Sequence, residues 1–180
     1  MKNVTVLASG NGSNFQALLD NSIPVTHLVS DNPQAYALDR ANENGVYWSL
    51  CQMQDSDRQS WGYSLQQIIG EPDLIVCAGF MRILPVNFVE RYKGRVINIH
   101  PSLLPAYKGS IHAIQDAYEA GDSLYGATVH WVTEEVDDGE IISQESIELD
   151  PTHPLSFIEE SVHKLEHKML PSTVKQLLAI

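Results

Sequence analysis

The stretch Ile97-Asn-Ile-His-Pro-Ser-Leu-Leu-Pro105 sets an amide and an imidazole two residues apart at the end of an apolar run, Arg95–Ile99, and then breaks on Pro101. Residues two apart in a strand share a face, so Asn98 and His100 are expected side by side where that strand ends. An Asn amide can donate to a developing oxyanion and a His can move protons near neutral pH, which are the two needs of acyl transfer. Asp137 is the candidate third group, although Asp137-Asp138-Gly139 is also ordinary turn chemistry, and a lone His at a strand end is often structural. A second stretch, Ser9-Gly-Asn-Gly-Ser-Asn14, stands between a strand-like and a helix-like segment, where glycines and free helix-start amides favour an anion. Ser13 or Asn14 could instead simply cap that helix. Position 15 is Phe where a dinucleotide fingerprint needs Gly, and no Gly-Lys-Ser/Thr follows, so neither NAD nor ATP is expected. His100, His112 and His130 lack HExxH or any comparably close spacing, so no metal is expected.

The elements that must position these groups follow from the apolar pattern. Val4–Ala8, Thr26–Ser30, Val46–Ser49, Asp73–Ala78 and Arg95–Ile99 are extended runs. Helical patterns fill the gaps: one after SGNGSN, then Ala35–Asn44, Arg58–Ile69 and Pro85–Tyr92. Strand alternating with helix over short loops predicts an α/β fold with a mostly parallel twisted sheet and helices on both faces. After Pro101 the rhythm changes. A helix is expected near Ile111–Ala120, then two extended segments, Gly126–Val136 and Glu140–Leu149, joined at a tight Asp-Gly turn as an antiparallel hairpin. One long helix, about Pro154–Ala179, closes the chain, with Pro171 inside it. No repeat, low-complexity tract or linker interrupts residues 1–180, which are expected to form one domain.

Composition narrows the partners. With 43% apolar and 19% charged residues the chain is globular in type, and a formal charge of −12 disfavours a nucleic-acid backbone or an anionic membrane. The apolar start is too short for a signal peptide and no run approaches a membrane span. Cys51 and Cys77 form no CxxC, and Cys77 lies in a buried-strand pattern, so a cytoplasmic, reduced protein is expected.

Four stretches together resemble the phosphoribosylglycinamide formyltransferases, folate-dependent enzymes of purine biosynthesis: SGNGSN, AGFMRIL at 78–84, INIHPSLLP at 97–105, and GATVHWVTEEVDDG at 126–139. The likeness spans nearly the whole chain, and the last two stretches are its specific part. It implies transfer of a formyl group from 10-formyltetrahydrofolate to the amine of glycinamide ribonucleotide, with Asn98, His100 and Asp137 as the catalytic set. It also implies substrate binding by Gly12, Ser13, Asn14 and Glu166. On the folate side it implies Arg58, Met81, Arg82, Ile83, Leu84 and Asn98, together with Thr133, Glu134, Glu135, Val136 and Asp137. A cis bond before Pro105 would fit the same likeness. The segment after Pro105 is one residue longer than the family spacing, so His112 receives no role. Other readings are a formyltetrahydrofolate hydrolase, a formyltransferase for another amine, and a non-catalytic anion-binding module.

Overall fold

The computed structural model describes residues 2–54 and 57–180. Its centre is a seven-stranded sheet built from the apolar runs, in the order β3-β2-β1-β4-β5-β6-β7. The strands are β1 (Val4–Leu7), β2 (Val25–Ser30), β3 (Tyr47–Leu50), β4 (Leu74–Cys77), β5 (Val96–His100), β6 (Leu124–Trp131) and β7 (Ile141–Glu148). The first five pair in parallel, whereas β5–β6 and β6–β7 are antiparallel.

Side chains alternate across this sheet, and each set meets its own helices. Val4, Val6, Leu74, Val76, Ile97 and Ile99 pack on one face against α1 (Ser13–Asp20), α2 (Tyr36–Glu43) and α6 (Leu155–Leu178). Leu7, Ile75, Cys77 and Val96 face the other way, against α3 (Arg58–Ile69) and α4 (Val86–Arg91). A smaller cluster joins α5 (Ala113–Glu119) to α6 through Ile114, Ala117, Ile158 and Val162. Full burial on both faces explains why β4 is a continuous apolar run rather than an alternating one, and why β1 is broken only by the buried Thr5.

β1 hydrogen-bonds β2 on one side and β4 on the other, so the chain reverses its winding direction there. The loops leaving the carboxyl ends of β1 and β4 diverge around a crevice, the usual ligand position in such sheets. β5 delivers His100 to the same edge.

The sequence expectations hold for the strands and helices to within a residue or two, except that the segment expected to run to Val136 ends as β6 at Trp131, and with two further differences. Neither Ser13 nor Asn14 caps α1: Gly12 occupies the cap with φ 74°, and no side chain bonds the first amides. A Cβ at Gly12 would come within 2.7 Å of Ala37 Cβ, so the turn needs a residue without one. The join between β6 and β7 is also not a tight turn. The ladder ends where Trp131 N–H donates to the Glu140 carbonyl, and residues 132–139 leave it as a loop. Gly139 packs so closely on Trp131 O that any Cβ would overlap it, so only glycine fits where the loop comes back to the sheet. The polar groups of this loop bond elsewhere, as Gly109 N–H to Asp137 and Lys108 to Asp138, so local turn chemistry yields to tertiary contacts. Leu104–Pro105 is cis.

Phe88 on α4 is wholly buried, with its ring 4.8 Å from that of Tyr92. Phe88→Ala is expected to cost about 3–5 kcal/mol in urea unfolding; a loss under about 1 kcal/mol would mean the α3–α4 layer is not a close-packed core.

Candidate active site

Asn98 and His100 lie on β5 in register with His130 and Thr128 of the neighbouring β6. Because the pairing is antiparallel and both pairs are spaced two apart, all four side chains share one face. The loop at 132–139 then folds Asp137 over them, with a left-handed backbone at φ 51°. Asp137 Oδ2 stands 3.1 Å from His100 Nε2 and accepts from Gly109 N–H at 2.9 Å. Its Oδ1 stands 3.5 Å from both His130 Nε2 and the Asn98 amide nitrogen. The three residues picked out from the sequence are thus one cluster.

Protons can be assigned around it. Ser102 Oγ donates to the Ala106 carbonyl at 2.7 Å, so it accepts from His100 Nδ1 at 2.9 Å. With Nδ1 carrying a proton, Nε2 is the ring atom that faces the Asp137 carboxylate. The Nε2–Asp137 contact has ion-pair distance without the alignment of a hydrogen bond, so Nε2 retains donor capacity. His130 donates from Nδ1 to Trp131 O at 3.0 Å, leaving Nε2 to accept from the Asn98 amide at 3.2 Å. Asn98 Nδ2 therefore has one good partner and one long one.

Burial works to raise the Asp137 pKa, but the imidazoles of His100 and His130, the charge on His100 and the Gly109 amide outweigh it. They hold the carboxyl well below the usual carboxylate range. Burial pushes the Cys77 thiol up to about 12, which removes it as a nucleophile.

The cluster opens on a cavity of about 610 Å³. Gly12, Ser13 and Asn14 line it, with the bare amide end of α1 beside them. Asn14 Oδ1 is buried without a partner. Glu166 also lines it; rather than sitting on a solvated helix face it is 4% exposed and bonds His163 Nδ1 at 2.8 Å. That carboxylate raises the His163 pKa. Residues 81–84 and 133–137 complete the wall. Arg58 is outside the lining and donates instead to the Ile83 carbonyl at 2.7 Å. His112 is at the cavity.

Sequence reasoning weighed His130 only as a metal ligand. Its i, i+2 spacing from Thr128 mirrors that of Asn98 and His100, and this would have placed it once β5 and β6 were paired. His163 and Gly109 carried no sequence signal, since one acts through a helix turn and the other through its backbone. Among the described residues no three His, Cys, Asp or Glu side chains gather in a metal-binding group.

Comparison with known proteins gives a consistent picture. The sequence pattern of the formyl transferase family matches residues 2–174. The phosphoribosylglycinamide formyltransferase of Bacillus subtilis is 40% identical, over 100% of this chain and 96% of its own length. The trifunctional purine biosynthetic protein adenosine-3 of Drosophila melanogaster is 37% identical over 98% of this chain, which corresponds to 14% of that much longer protein. The crystal structure of the Streptococcus pneumoniae phosphoribosylglycinamide formyltransferase superposes with a TM-score of 0.94 at 35% identity, covering 99% of each chain.

A carboxylate depressed by folding stabilises the folded state above its unfolded pKa of about 3.9, and that stabilisation is lost as pH falls toward the folded value. The unfolding free energy of the wild type relative to Asp137→Asn is therefore expected to be flat above about pH 5 and to fall steadily on acidification below about pH 4. Denaturant titrations at stepped pH check this; a difference that stays constant or grows in acid contradicts the assigned contacts.

Proposed function

The chain belongs to the formyl transferase family, and from that premise we infer that it transfers the formyl group of 10-formyltetrahydrofolate to the amine of glycinamide ribonucleotide, a step of purine biosynthesis. The observation that carries this reading is the cluster of Asn98, His100 and Asp137 at the mouth of one cavity, in a chain that aligns end to end with the Bacillus enzyme. Both substrates are small molecules, and among the described residues no helix is long and apolar enough to cross a membrane. Cys51 and Cys77 are buried free thiols, which supports a cytoplasmic setting.

The residues divide the work as follows. Attack of the amine on the formyl carbon forms a C–N bond and turns the carbonyl oxygen into an oxyanion. Asn98 and His100 donate to that oxyanion. The 3.5 Å contact of Asn98 with Asp137 is the weaker of its two and is the one released for the purpose, while His130 keeps the amide plane in place at 3.2 Å. His100 is held from behind by Ser102, so its Nε2–H faces the reacting centre. The amine proton leaves by way of Asp137 or a water it orients and reaches the folate nitrogen as the old C–N bond breaks. A carboxylate held ionised can accept that proton transiently and return it, which suits a relay rather than a store. The fixed imidazolium beside it neutralises the local charge throughout.

Gly12, Ser13 and Asn14 bind the ribonucleotide phosphate, for which the uncapped α1 amides provide donors and a positive dipole end. Glu166, buried and already fixed by His163, accepts from the ribose hydroxyls. Residues 81–84 and 133–137 take the folate head, and the exposed apolar side chains of Met81, Ile83 and Val136 give it a hydrophobic rim. Arg58 serves this side through Ile83 O.

Purified protein with both substrates is expected to yield formylated ribonucleotide and tetrahydrofolate in equal amounts. Asn98→Ala is expected to lower kcat by about 10²–10³, the usual worth of one oxyanion donor, and His100→Ala by at least as much. Folate release without formylated ribonucleotide would make the protein a hydrolase or a transferase for another amine. Near-normal turnover in either variant would remove that residue from the mechanism.

A further inference from the structure

The loop after β4 faces a problem of rigidity. Residues 81–83 are exposed, pair with no strand, and yet form a wall of the cavity. Phe80 anchors one end by stacking on Trp61 at 6.2 Å, and buried Leu84 anchors the other. Between them the chain is held by a closed ring of hydrogen bonds centred on a residue outside every motif named above. Met81 N–H donates to Ser9 Oγ at 2.8 Å, and Ser9 Oγ donates to Asp31 Oδ1 at 2.6 Å. Asp31 Oδ2 accepts from Arg82 Nε at 2.8 Å. One carboxylate thus grips two consecutive residues, the first through its backbone and the second through its side chain. Ser9 N–H also donates to Gly79 O at 3.0 Å, and Arg58 holds Ile83 O from the far side.

The asymmetry of this ring argues for positioning. The Asp31 side chain is 5% exposed and that of Arg82 47%. Burying one carboxylate against a half-exposed guanidinium is a poor source of stability, because desolvation offsets most of the attraction. What the ring does secure is the path of the backbone. Among the described residues the amides of Arg82, Ile83 and Leu84 donate to no protein acceptor, so they are free to meet a ring with acceptors along its edge. Asp31 directly follows β2 and Ser9 lies just past β1, so the ring ties this wall to the rigid ends of two central strands.

We propose that Asp31 is a positioning residue for the folate cosubstrate, acting through Ser9 and Arg82 to hold the backbone of residues 81–84 in its binding geometry. This rests on the formyl-transfer reading above. Asp31 hydrogen-bonds none of Gly12, Ser13, Asn14, Asn98, His100 or Asp137 and meets the SGNGSN loop only at Ser9, so its effect falls on one of the two substrates.

The test is two-substrate kinetics on the wild type, Asp31→Asn and Ser9→Ala. Asp31→Asn keeps the shape and removes the charge, and is expected to raise KM for 10-formyltetrahydrofolate about tenfold, the worth of one charge-assisted hydrogen bond. KM for glycinamide ribonucleotide and kcat are expected to stay within about twofold, a split that general destabilisation does not produce. The double variant should be no worse than Asp31→Asn, since both residues act on one backbone path. Equal changes in the two KM values, a fall in kcat at saturating folate, or no change would overturn the proposal. If Asp31→Asn does not fold, Ser9→Ala carries the same expectation alone. If the wild type transfers no formyl group, the functional reading fails, and calorimetric titration of tetrahydrofolate decides the positioning role. Binding about tenfold weaker in Ser9→Ala than in wild type supports it, whereas equal binding, or none by either protein, sinks it.

Discussion

The structure depends on keeping one carboxylate ionised where water is scarce. Asp137 is nearly buried, stands on a left-handed backbone and carries its charge beside Asn98 and His100. Such a group persists only where donors surround it. Here the groups around it come from three separate segments: the His100 imidazole and the Asn98 amide on β5, the His130 ring on β6, and the backbone N–H of Gly109. None of these residues is within eight positions of Asp137 except His130, so the site exists only when the sheet is assembled.

The sheet meets this demand by changing direction once. Parallel strands put their carboxyl ends at one edge, which is where β1, β4 and β5 release their loops. A sixth parallel strand would have brought only another loop to that edge. An antiparallel β6 brings side chains instead, and its register sets His130 directly across from Asn98. The same reversal lets the chain leave β6 at Trp131 close to β5, so the loop carrying Asp137 needs only a short reach to cover His100. Gly139, pressed against Trp131 O, is the point at which that loop rejoins the sheet.

Most of this fold was legible because burial writes itself plainly into the chain. The run at 74–77 is apolar without interruption and that at 96–99 is broken only by Asn98, and the helices α2 and α3 end at Gly45 and Gly70, both with positive φ. The site was legible where chemistry needs side chains at strand spacing, as with Asn98 and His100. It was illegible where chemistry is done by backbone or by register. Gly109 contributes an N–H that any residue but proline has, and His130 becomes a site residue only through its cross-strand partner. The expected tight turn at Asp138-Gly139 failed for a related reason. Asp-Gly favours a hairpin only while its side chains are free, and here Asp137 and Asp138 are both engaged by residues 108 and 109.

The division between rigid and adaptable parts follows the tolerance of each task. Forming an oxyanion requires donors placed within a fraction of an ångström, and the two proposed for it, Asn98 and His100, stand on an interior strand, β5, backed by Ser102 and His130. Holding a phosphate requires charge more than angle, and for the proposed phosphate seat a helix end with bare amides would suffice. Recognising a flat heteroaromatic ring lies between the two, since it needs backbone groups in a fixed order on a segment that must stay open to solvent. In the proposed division of roles, the loop tied by buried Asp31 to the ends of β1 and β2 answers that intermediate demand. The acidic residues that make the surface of this chain strongly negative thus have three interior counterparts, Asp31, Asp137 and Glu166, each fixed by a named donor and each lying at or beside the cavity.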